Sequence, residues 1–222
     1  SGAFQLDFVN RLENFTYDAR LNLMMPDTQD KRIVIVDIDE KSLQEQGLWP
    51  LGRNKLAQLL DILFDKYKIK VLGFDVVFAE KDESSGLKSL EEIERIHLKS
   101  DNNFHNIVEQ LRPKLDYDQV FANSLKGRNV VLGYYFRQDN NDDASKSAGV
   151  LPPPSFVKGS FKGKNIDFEQ ASGFGGNLAI LQQNAVTGGH FNPDPDEDGI
   201  SRRVPMLISH NGNLYEALSI AV

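Results

Sequence analysis

Phe4, Phe8, Leu12, Phe15, Ala19 and Leu23 recur at spacings of three and four, which is one face of an amphipathic helix over residues 4 to about 23. The segment "MPDTQDK" ends it. The period then changes. "RIVIVDI" (32–38) is an unbroken, β-branched run and predicts a strand buried on both faces. A short helix is expected at 40–46 and a turn from Gly47 to Gly52. A longer helix follows in "NKLAQLLDILFDKY", with Asn54 as its cap. "IKVLGFDVVFAE" predicts a second buried strand. Strand, helix and strand across 32–78 make one βαβ unit, which implies parallel strands joined by a right-handed crossover.

Residues 81–112 are charged but helical in period: Leu87, Leu90, Ile93 and Ile96, then Phe104, Ile107, Val108 and Leu111. They read as a helical segment inserted on the surface. "DYDQVFANSLKGR" is a further helix and "NVVLGYYF" a third strand. The polar stretch 137–149, "RQDNNDDASKSAG", is expected to be mobile. "LPPPSF" is a proline-stiffened connector. Residues 166–186 fit no single period. "TGGHF" and "RVPMLISHNGNLY" then predict strands, with Asn211-Gly212 as a hairpin turn. There is no internal repeat. The elements sum to a layered α/β/α domain with a mixed, partly parallel central sheet, a long N-terminal helix and an inserted helical segment.

Composition narrows the function. The chain has 222 residues, 40% hydrophobic and 26% charged, enough for one domain with a real core spanning 1–222. A net charge of −7 with no basic stripe argues against nucleic acid as a partner. The absence of cysteine excludes disulfides, thiolate metal sites and cysteine nucleophiles. No apolar run of membrane length and no signal peptide are visible. The start "SGAF" and the stop within the apolar "ALSIAV" suggest a domain cut from a longer protein.

Two acidic places invite chemistry. In "HFNPDPDEDGISRRVP", Asp194, Asp196, Asp198 and Gly199 match the opening of a calcium-binding loop, D-x-[DN]-x-[DN]-G. That loop needs a bidentate Glu six positions after the glycine, and Pro205 stands there. The flanks also read as strands rather than a helix pair. The simpler reading is an acidic turn whose aspartates bond their own backbone and pair with Arg202 and Arg203. The second place is the end of the predicted strands, where Asp37, Asp39 and Asp75 stand near Trp49 and Arg53 in the chain. Carboxyl ends of parallel strands form ligand crevices, so these residues, with Arg202, are candidate ligand-binding positions. "IVIVDIDEK" also resembles the first motif of the haloacid-dehalogenase phosphatases, with Asp37 as nucleophile and Asp39 as general acid on Mg²⁺. Lys41 stands where that motif has Thr or Val, and no later acidic pair completes it. The commoner fate of Asp after a strand is to cap the next helix. No catalytic residue, metal site or cofactor is assigned.

Several segments, in order, are similar to one family: "LENFTYDARLNL", "RIVIVDIDEKSLQEQGLWPLGR", "KVLGFDVVFAEKD", "YDQVFANSLKGRNVVLGYYF", "LPPPSF" and "HFNPDPDEDGISRRVPMLISHNGNLYEALSIAV". From about Leu12 to Val222 the chain resembles the second type of CHASE domain, the cyclase/histidine-kinase-associated sensing extracellular domain. The resemblance implies a non-catalytic, extracytoplasmic sensor domain of a bacterial receptor. Membrane helices would flank it in the intact protein, with an adenylate or guanylate cyclase, or a histidine or serine/threonine kinase, on the cytoplasmic side. It further implies an unknown small-molecule or protein signal and a homodimer through the N-terminal helix. A stand-alone binding or scaffold domain is the rival.

Overall fold

The computed structural model describes residues 7–26, 28–138, 147–196 and 198–222. The chain divides into two units, residues 1–47 and 48–222.

The first unit holds α1 (Asp7–Met24) and α2 (Glu40–Gln46). Along α1, Leu12, Phe15 and Leu23 are exposed and Ala19 is half-buried, while Phe4 lies outside the described residues. α2 starts where the sequence predicts because Asp39 caps it, accepting the Ser42 N–H at 2.8 Å and the Ser42 hydroxyl at 2.6 Å. Between the helices the structure overturns the strand expected at 32–38. The run carries no ladder, and Ile33 and Ile35 are 75% and 90% exposed. β-Branched residues favour an extended backbone, but a strand exists only where a second backbone takes its N–H and C=O groups. The βαβ unit expected over 32–78 is therefore not formed.

The second unit carries the core. α3 (Arg53–Asp61) continues into a π-helical turn, Ile62–Lys66, and leads to β1 (Leu72–Phe74). Gly52, not Asn54, stands at the helix start, and Asp82 from a distant loop accepts the Arg53 N–H at 2.6 Å. The expected insert forms two helices, α4 (Leu87–His97) and α5 (Asn102–Leu115). They lead to α6 (Tyr117–Leu125) and β2 (Val130–Arg137). Residues 139–146, most of the stretch expected to be mobile, lie outside the described residues, and Ala148 and Val150 beyond them bridge to Gly175 and Asn177.

β3 (Glu169–Ala171), β4 (Gly173–Gly175), the short α7 (Ala179–Gln182) and β5 (Thr187–His190) come next. The chain finishes with β6 (Asp194–Pro195), β7 (Ser201–Arg203), β8 (Leu207–His210), β9 (Asn213–Glu216) and α8 (Leu218–Ala221).

β2 is the hub. It pairs parallel with β1 and β5 and, through its last three residues, antiparallel with β4. This is the mixed sheet of an α/β fold. Every residue from Val130 to Tyr134 is buried, as an uninterrupted apolar strand requires. Successive inward side chains of β2 serve two clusters. Val130 and Leu132 pack with Leu56, Leu60, Phe121 and Leu125 of the helices, and Phe74, Phe78 and Phe121 meet edge to face at 5.2–5.8 Å. Tyr134 and Phe136 pack instead on Ile208 and Tyr215 of a second sheet, ordered β3-β8-β9. β8 and β9 form the expected hairpin, with Asn211 and Gly212 both at positive φ. α8 lies directly over β5: a Cβ on Gly189 would stand 2.4 Å from the Leu218 Cα.

Candidate functional site

The residues singled out by the sequence fall in both units. Asp39 is the cap of α2, and the Ser42 hydroxyl, then its N–H, hold the carboxyl below its ordinary range. Asp37 is exposed in the run between the two helices. With no strand at 32–38, these two aspartates lack the strand end on which the phosphatase motif depends. In the second unit, Asp75 is exposed just past β1, and Trp49, in a cis Trp49–Pro50 peptide, is 47% exposed.

Arg53 is buried. Its guanidinium donates to the Asp118 carboxylate and the Glu80 carbonyl and lies 5.4 Å from the centre of the Phe78 ring. The Asp82 N–H donates to the same Asp118 carboxylate at 3.2 Å. Burial lowers the pKa of Arg53, and the charge of Asp82 opposes that shift. A cation out of water requires such partners. The fold's own acceptors thus occupy the guanidinium.

The acidic turn closes on itself. β6 and β7 pair across it, Gly199 takes a positive φ, and the Asp198 carboxylate accepts the Ile200 N–H at 3.1 Å. Arg202, with a side chain 7% exposed, donates to Asp196 at 2.8 Å and to Asp198 at 2.8 and 3.0 Å. The Arg202 contact is the main reason that the Asp198 carboxyl sits below its ordinary range. Among the described residues no group of three or more His, Asp or Glu is arranged to hold a metal ion.

A different place has the form of a binding site. A groove of about 680 Å³ crosses the second sheet, within the range of small-molecule sites. The connector at 151–156 reaches β9, where Phe156 exchanges backbone hydrogen bonds with Leu214 at 2.8 and 3.2 Å. Phe156 thereby forms one wall with Phe168, Met206, Leu207 and Ile220. Asp167, Glu169 and Glu216 supply the carboxylates. Burial, then the charge of Asp194, raises the Glu169 pKa above its ordinary value. Near Glu216, through its neighbour Ala217, come buried polar groups without a hydrogen-bond partner among the described residues. His190, fully buried, bridges Ala217 next to Glu216, and it stands in register with Tyr134 on β2. Neither ring nitrogen of His190 nor the Tyr134 hydroxyl has a hydrogen-bond partner among the described residues. Desolvation pushes the His190 pKa down to about 4, so the ring is neutral at physiological pH.

Sequence reasoning missed all of these residues. Asp167 and Glu169 lie in the stretch without a clear period, and Glu216 closes a strand that reads as plain hairpin. The one local hint is "IDFEQA", acids on either side of an aromatic. His190 and Tyr134 look like ordinary strand residues until register places them side by side.

A family model for the CHASE2 domain matches residues 1–222, the full chain, and the protein belongs to that family. Comparison with curated proteins and with solved structures gives no match. CHASE2 domains are extracellular sensing modules of signalling receptors and are not catalytic.

Proposed function

We propose that this chain is the extracytoplasmic sensor of a bacterial membrane receptor and relays its signal to a cytoplasmic adenylate or guanylate cyclase, or to a histidine or serine/threonine kinase. Family membership over the whole chain carries the reading. In this reading the signal, a small molecule or a protein, is received at the groove that Phe156, Glu169, Met206 and Glu216 line. Its binding biases a two-state element coupled to the membrane helices of the intact protein. Among the described residues no helix is long and apolar enough to cross a membrane. The receptor acts as a homodimer, for which the exposed apolar face of α1 (Leu12, Phe15 and Leu23) supplies a symmetric seam.

The test uses the intact protein in a bacterial host. A phosphatase reporter inserted in the polar stretch 139–146 is expected to be active, and a fluorescent reporter that matures only in the cytoplasm is expected to be dark there. The reverse pair of results overturns the location. Cyclase or kinase output that stays unchanged, signal response included, when 48–222 is deleted would overturn the sensory role. For the dimer, sedimentation of Leu12→Glu/Phe15→Glu is expected to give the monomer, and a monomeric wild type would remove the seam.

A further inference from the structure

The groove's chemistry points to the class of molecule it takes. Its walls are apolar, with Met206 and Ile220 exposed within them. The three carboxylates make no ion pair among the described residues, whereas several acids elsewhere in the unit are matched. Asp118 has Arg53, Asp61 and Asp65 share Arg128, and Asp196 and Asp198 share Arg202. Lys158, the base closest to Phe156 in sequence, lays its side chain along Gly212 and gives its N–H to Asn213. A carboxylate beside apolar surface is poorly hydrated, and a charged donor that brings its own apolar body satisfies both surfaces at once.

We infer that this groove binds an organic cation: a primary amine or guanidinium on an apolar body, with the charged head at Glu169 and Glu216 and the body along Phe168, Met206 and Leu207. Its biological role rests on the sensing reading, but the binding is a property of this chain alone. The raised pKa of Glu169 fits an acid that gains from a nearby cation.

Calorimetric titration of the chain with 4-phenylbutylamine, its neutral analogue 4-phenylbutanol and its anionic analogue 4-phenylbutanoate decides the matter. The amine is expected to bind at least about tenfold more tightly than the alcohol, as one charge-assisted contact allows, and the carboxylate least. Glu169→Gln/Glu216→Gln is expected to erase that preference while binding the alcohol as before. Should that variant melt early, the amine-to-alcohol ratio of the wild type at low and high salt replaces it, and a ratio that salt does not reduce counts against the inference. Equal binding of amine and alcohol, or a variant that keeps the preference, overturns the inference. So does the absence of amine binding at millimolar concentration. Failure here leaves the reporter results untouched, so the two readings fall separately.

Discussion

The acidic turn at 194–198 and the acidic groove use the same side chain in opposite ways. In the turn, Asp196 and Asp198 stand two positions apart and Arg202 answers both. In the groove, Asp167, Glu169 and Glu216 come from separate segments, and no cation in the described fold answers any of them. The pair Asp196 and Asp198 is conspicuous in the sequence and chemically closed. The groove is invisible in the sequence and chemically open. Density of carboxylates along a chain therefore says little about availability; the missing partner in space says more.

The contrast can be tested first where pairing is most complete. Arg53→Ala leaves Asp118 buried and unpaired, and is expected to cost about 3–5 kcal/mol of stability in urea unfolding. A loss below about 1 kcal/mol would mean that pairing is not what commits an acid to the fold. Next comes the buried His190, whose ring nitrogens have no partner among the described residues. The His190 pKa is about 4 when folded and near 6.5 when unfolded, so the unfolded chain binds the extra proton between these values. Stability is thus complete above about pH 6.5 and falls toward pH 4, by on the order of 3 kcal/mol. His190→Leu, which keeps the volume and removes the unpartnered nitrogens, is expected to flatten that segment of the pH–stability curve. An unchanged slope would assign the acid loss to other groups.

Arg202→Ala probes the turn itself. It is expected to lower the melting temperature by a few degrees, less than Arg53→Ala, because Asp198 keeps its bond from Ile200 and is reached by water. The smallest effect has the opposite sign. Glu169 has a raised folded pKa, so its charge is a net cost above that value and its neutral form is favoured below. Glu169→Gln is expected to raise the melting temperature at pH 7 by about 1–3 °C, read by scanning calorimetry. A fall would show that the carboxylate already has a partner.

Much of the second unit was legible in advance. The apolar run 130–136 forms the hub strand, Asn211-Gly212 turns the hairpin, and the periodic leucines of 87–111 lie on helices. The segment 32–38 was misread. Its composition favours an extended backbone, but pairing depends on another backbone that the run itself does not contain.

Local chemistry thus settled what depends on neighbours in sequence. Asp39 caps α2 three positions before its partner Ser42, and Arg202 lies within six residues of both its acids. Tertiary structure alone decided what depends on distant residues. It joined Arg53 to Asp118, set His190 beside Tyr134, and brought Phe156, Glu169 and Glu216 to one groove. The reason is physical: caps and turns are made by side chains that reach a backbone a few residues away, so their signals are short and readable. Burial and charge pairing are made between segments whose approach is fixed only when the whole core closes.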